Sequence, residues 1–243
     1  MIARHHRRRL RLGLLATAAL LLAVLTAVVM VRDGRPFALD TALHHWALTH
    51  HDPALDRFGI DLAVTGTGAP AYAVAAVAGA VATGTRRWWW RGALAAVTAL
   101  ALAEVLRTSL ATAVGRPRPP RADWLEYASG NAFPSGHSTT SALLALGLAA
   151  ALLTRAQRPS ARAAAVIVPA LWALAVGIDR VYLGVHWPTD VLAGWLLAAL
   201  IGCALLPPLG VLTRALSSSP AAWPTGRWWR RPGSPEPSRD QDG

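Results

Sequence analysis

The side chains able to do chemistry in this chain fall in three short polar stretches. GRPRPPRADW (115–124) carries Arg116, Arg118 and Arg121; NAFPSGHS (131–138) carries Ser135, Gly136 and His137; DRVYLGVHWPTD (179–190) carries Arg180, His186 and Asp190. The arginines are permanent cations whose planar donor fork suits phosphate oxygens, and the prolines beside Arg116 and Arg118 restrict the backbone that carries them. In Pro-Ser-Gly-His, Gly136 allows a tight turn into a helix, whose free N–H groups and dipole make an anion site. Ser135 caps that helix or donates to the anion, and His137 stands beside it as a proton donor near neutral pH. His186 and Asp190 are four apart, with Pro188 at a first helical position. That spacing brings a carboxylate to one imidazole nitrogen and leaves the other nitrogen free to attack. Each stretch has a plainer explanation by itself: a headgroup anchor, a helix cap, a first-turn acid. Together they supply a nucleophile, a proton donor and a cationic cradle for a phosphoryl group.

The elements that must position these stretches are read from hydropathy. Of 243 residues 53% are hydrophobic, and they fall in long blocks, which is a membrane composition rather than that of a soluble core. Six spans are predicted, at about 12–31, 62–83, 92–114, 138–154, 163–178 and 191–212, which makes the fold class an all-α polytopic membrane protein. The first follows RHHRRRLR and reads as an uncleaved anchor, because its apolar run is longer than a signal core and no cleavage site follows. The chain thus divides into a basic tail (1–11), a six-helix membrane domain (12–213) and a tail (214–243) whose Arg/Pro/Ser-rich composition predicts disorder. The segment 36–58 mixes apolar and polar positions and predicts short helices at the membrane surface. Its histidines, His44, His45, His50 and His51, match no zinc-site spacing well.

The net charge is +11, with all 24 basic residues arginine and no lysine. The arginines cluster at the ends of the hydrophobic blocks, so they read as topology signals and not as a nucleic-acid surface. With the N-terminus inside, sixteen arginines fall in cytoplasmic segments, seven outside and one, Arg107, within a span. The positive-inside rule therefore gives six spans with both termini cytoplasmic and all three polar stretches on the outer, extracytoplasmic side. A single cysteine, Cys203, excludes a disulfide framework.

RPRP, PSGH and the Arg180-x5-His186-x3-Asp190 spacing, in that order on spans three to six, resemble the three motifs of the type 2 phosphatidic acid phosphatase (PAP2) superfamily. The resemblance covers about residues 55–210. It implies a membrane lipid phosphate phosphatase that acts without metal or cofactor on a lipid such as undecaprenyl or another polyprenyl pyrophosphate, phosphatidylglycerol phosphate or phosphatidic acid. It implies that His186 is the nucleophile and forms a phosphohistidine, that Asp190 orients it, and that His137 is the general acid. Arg118 and Arg180 would hold the phosphoryl oxygens, with Ser135 and the Gly136 N–H completing the cradle. Two positions depart from the family pattern. Its lysine, seven residues before Arg118, is Ala111 here, and the usual serine before Arg180 is Asp179. Arg107, one turn before Ala111 on the same helix face, could supply the missing charge, as could Arg116 or Arg121. The lost lysine also leaves room for a catalytically weakened lipid-binding or scaffold protein of the same fold. A transporter would need polar sites at midplane, to which only Glu104 and Arg107 point.

Overall fold

Long runs of Ala, Leu and Val become helices here because a bilayer leaves every backbone polar group to be satisfied within its own segment. The computed structural model describes residues 2–84 and 87–217; 79% of it is helical and no strand occurs among the described residues. The elements are α1 (Ile2–Val31), α2 (Ala38–Thr49), α3 (Pro53–Thr65), α4 (Gly68–Thr83), α5 (Trp89–Val114), a 3-10 turn (Arg121–Asp123), α6 (Gly136–Leu153), α7 (Pro159–Tyr182) and α8 (Pro188–Ser217).

Five of these are long and apolar enough to span a membrane: Arg9–Val31 within α1, then α5, α6, α7 and Pro188–Val211 within α8. A sixth results if α3 and α4 count together, and there the structure corrects the sequence. The continuous second span predicted at 62–83 is two helices meeting at 54° across Gly66 and Thr67. The basic segment read as a tail continues α1 as helix from Ile2. The segment 36–58 forms α2 and the first part of α3, whose start is capped by Asp52 accepting from the N–H groups of Ala54 and Leu55. The tail expected to be disordered lies, from residue 218 onward, outside the described residues.

Helix α6 sits at the centre and packs on α4, α5, α7 and α8, while α1 lies along α8. The core between α1, α5 and α8 contains Leu22, Val29, Ala103, Ala193, Leu197 and Ile201, with Phe133 closing it from the loop before α6. Helices α4 and α5 approach so closely that a Cβ on Gly79 would stand 2.1 Å from the Gly92 carbonyl oxygen. Small residues at such a crossing are the usual means of close helix packing in lipid. Large apolar side chains such as Leu20, Leu102, Val105, Val168 and Leu171 face outward, as lipid contact requires. The three polar stretches all lie at one end of this bundle. Gly115, in the left-handed conformation (φ 66°), ends α5 and turns the chain into the first of them.

Candidate active site

His186 hangs in the short connection between α7 and α8, with its backbone N–H donating to the Arg180 carbonyl at 3.2 Å. The ring is almost fully buried. Its Nε2 lies 2.8 Å from an Arg118 terminal nitrogen, and its Nδ1 lies 3.5 Å from Asp190 Oδ2. Guanidinium groups only donate, so Nε2 must be the acceptor and the ring proton sits on Nδ1, facing Asp190. Burial first, then the charges of Arg118 and Arg180, hold the imidazole pKa well below its ordinary value. The ring is therefore neutral, with its lone pair on Nε2.

Asp190 is fully buried in the first turn of α8. Its Oδ2 accepts the Trp187 N–H at 2.9 Å, and its Oδ1 takes a terminal nitrogen of Arg116. The Ser135 N–H in turn donates to the Asp190 carbonyl at 3.0 Å, which ties the α6 and α8 starts together.

An open cleft of ≈ 360 Å³ lies over His186 and is lined by Arg107, Arg118, Gly136, His137 and Arg180, with Thr67, Glu104 and Tyr127 among its rim residues. Arg118 is fixed by donation to the carbonyls of Gly130 (3.0 Å), Ser129 (2.8 Å) and Val185 (2.9 Å). Burial lowers its pKa to about 10; Asp190 opposes that shift, and the charges of Arg107 and Arg180 add to it. Arg180 donates to Glu126 at 2.8 Å and to Asp179, and its Nε is buried with no partner among the described residues. Asp179, expected to repel an anion unless compensated, is paired in this way with Arg180. Arg107 reaches the start of α6, where its guanidinium carbon would lie 3.4 Å from a Cβ built on Gly136. His137, on the first turn of α6, is within electrostatic reach of Arg180, His186, Arg118 and Arg107.

The structure places three of the expected residues apart from the simplest phosphate-binding picture. Arg116 cannot bind a substrate phosphate, because it is fully buried and donates instead to Asp190, Asp40, Thr189 and the Gly34 carbonyl. Ser135 is a helix cap buried beneath the cleft: its Oγ is 3.4 Å from the Ser138 N–H and 3.0 Å from the Ser138 hydroxyl. Gly136 opens α6 as an ordinary helical residue, and the glycines with left-handed φ are elsewhere. It is the first residue of α6, whose N–H has no intrahelical acceptor, and it lines the cleft. His44 of the histidine-rich segment packs edge-on to Trp187 and bonds Asp123 at 2.9 Å. Among the described residues no group of three or more His, Cys, Asp or Glu is arranged to hold a metal ion.

Sequence reasoning missed Asp40, Thr189 and Glu126. Asp40 carried no local signal beyond being an acid in the first turn of a short helix; its partners are distant in the chain.

An all-helical membrane bundle with a buried His–Asp pair beneath converging arginines defines a class of phosphoryl-handling membrane proteins, and the comparisons agree. The PAP2 superfamily sequence model matches residues 92–209. The chain is 31% identical over 175 residues to decaprenylphosphoryl-5-phosphoribose phosphatase of Mycolicibacterium smegmatis, covering 71% of this chain and 79% of that one. It is 40% identical over 89 residues to phosphatidylglycerophosphatase B of Bacillus subtilis, covering 36% of this chain and 43% of that one. It spans less than half the length of several curated relatives that it matches. The crystal structure of a transmembrane PAP2-type phosphatidylglycerolphosphate phosphatase from Bacillus subtilis superposes with a TM-score of 0.64 at 26% identity, covering 80% of this chain and 94% of that one. The chain belongs to the PAP2 superfamily.

Proposed function

We propose that this protein is a lipid phosphate phosphatase that works through a phosphohistidine at His186, with its active site on the extracytoplasmic side of the membrane. The observation that carries this is the His186 Nε2 lone pair beneath a cleft where Arg107, Arg118 and Arg180 converge. Arg180 is already paired with Glu126 and Asp179, but among the described residues Arg118 donates only to His186 and to backbone carbonyls. Its charge thus meets no carboxylate by hydrogen bond, and a phosphoryl group would supply that counter-charge.

In this mechanism the phosphoryl oxygens take hydrogen bonds from Arg118, the unpartnered Arg180 Nε, Arg107 and the Gly136 amide. As Arg118 turns onto an oxygen it gives up Nε2, which attacks phosphorus in line with the lipid oxygen. His137 protonates that leaving oxygen, then takes a proton from the water that hydrolyses the phosphohistidine. Asp190, whose Oδ2 lies 3.5 Å from Nδ1 without hydrogen-bonding it in this structure, would close on Nδ1–H and offset the charge that the ring gains. Guanidinium groups supply the positive charge that spreads over the equatorial oxygens, so no metal enters the scheme.

The substrate's tail stays in the bilayer while its headgroup meets the cleft at the ends of the spans. The relatives named above act, by their names, on polyprenyl-linked phosphoribose and phosphatidylglycerophosphate, and a polyprenyl pyrophosphate or phosphatidic acid carries the same group. A non-catalytic lipid-binding reading drew its support from Ala111, and Arg107 at the cleft weakens that support.

Phosphate release from a panel of these lipids by the purified protein in EDTA, beside His186→Ala, tests the proposal. Release by the wild type and none by the variant is expected. Equal release would overturn the nucleophile assignment, and loss of activity in EDTA would overturn the metal-free scheme.

A further inference from the structure

A second, deeper carboxylate stands behind the His186–Asp190 pair. Arg116 divides its guanidinium between two acids, one terminal nitrogen on Asp190 Oδ1 and the other on Asp40 Oδ2 at 2.7 Å. All three side chains are fully buried. Thr189 locks the junction: its hydroxyl accepts from Arg116 at 2.7 Å and donates to Asp40 Oδ2 at 2.8 Å, and its N–H donates to Asp40 Oδ1 at 2.9 Å. The Phe37 N–H, at 3.1 Å, completes the shell of Asp40. Asp40 lies on α2, outside the residues 92–209 that the superfamily match covers, and in none of the three motifs.

Charge explains why a second acid is present. An arginine paired with Asp190 alone would neutralise it and remove the negative charge that His186 needs as its ring becomes cationic. With Asp40 on the other nitrogen, the trio keeps one net negative charge. Attack by His186 brings the buried cluster to neutrality. Away from water such a difference is felt strongly.

We infer that Asp40 is a positioning residue for the nucleophile. Acting through Arg116 and Thr189, it aims Asp190 at His186 Nδ1 and keeps the cluster behind the imidazole negative. This rests on the phosphohistidine reading above. The other groups facing His186 are Arg118 from the loop after α5, Arg107 on α5, His137 on α6 and Arg180 on α7. Among the described residues none of them hydrogen-bonds or ion-pairs with Asp40, so a change at Asp40 reaches the ring through Arg116 and Asp190.

Asp40→Asn keeps the shape and removes the charge. It should lower kcat roughly ten- to a hundredfold, the range for losing an outer partner of a functional imidazole. KM and the inhibition constant for orthovanadate should stay unchanged, because the cleft arginines are untouched. Loss of negative charge lowers the His186 pKa, so the acid limb of kcat/KM should move to lower pH. An unchanged kcat and acid limb in a variant that melts like the wild type would overturn the inference, and so would equal weakening of catalysis and vanadate binding. If Asp40→Asn does not fold, Thr189→Val removes the hydroxyl bridge at constant volume. A smaller loss confined to kcat is expected from it, and no loss would count against Asp40. His186→Ala in the same assay separates the two claims. If it turns over like the wild type, the phosphohistidine reading fails; if it is inactive and Asp40→Asn is normal, only the role of Asp40 fails.

Discussion

Ala111 and Arg107 show how one face of a helix can exchange the position of a charge. The residue where the superfamily has lysine is buried, and its carbonyl accepts from Gly115 N–H and the Asn131 side chain. Arg107 starts roughly 6 Å deeper along α5, a depth that counts against it when only the helix direction is considered. The structure brings its guanidinium to Gly136 all the same. Arg107→Ala should lower kcat/KM roughly ten- to a hundredfold, the worth of a hydrogen bond to a charged group. Unchanged turnover on the lipid panel would take Arg107 out of the site. The depressed pKa of His186 gives a second expectation. A group held neutral by burial loses activity only when pH falls through its lowered pKa, so the acid limb of kcat/KM should lie below the ordinary imidazole value of about 6.5. A limb above that value would mean that His186 is solvated or that another group titrates first.

At the scale of elements, the sequence was most legible where chemistry and periodicity coincide. PSGH opens α6, and His186 and Asp190 straddle the start of α8. Hydropathy located the spans to within a few residues but passed over the break at Gly66 and Thr67, since apolar residues continue on both sides of it. That break matters, because Thr67 and Gly68 line the cleft. The motif resemblance pointed Arg118 to the phosphoryl group, and it lines the cleft, but the burial of Arg116 was not legible, because it sits in an irregular loop whose course no period fixes. Which one faces the cleft depends on Asp40, 76 residues away from Arg116. Close packing of α4 on α5 carries its own prediction. Gly92→Val would drive a side chain into the Gly79 carbonyl and the Thr83 hydroxyl. It should cost about 1–3 kcal/mol, read as a lower melting temperature in detergent; an unchanged melt would show that the two helices can separate freely.

For the whole molecule, the proposal that the cleft opens on the outer face of the membrane rests on the distribution of arginines and is open to a direct test. In a variant lacking Cys203, a cysteine at exposed Tyr127, beside the cleft, should react with an impermeant maleimide on intact cells. One at exposed Arg158, in the connection between α6 and α7 at the other end of the bundle, should react only after lysis. The reverse pattern would invert the topology and with it the side on which product is released.

The contact between Arg118 and His186 bears on how His186 meets reactive molecules. With its lone pair engaged by Arg118 at 2.8 Å, the proposed nucleophile His186 would be masked from stray electrophiles. Imidazole acylation by diethyl pyrocarbonate should therefore reach His137, which faces the cleft, before it reaches His186. On the proposed mechanism, the same arginine that binds the phosphoryl group would also govern when His186 can react.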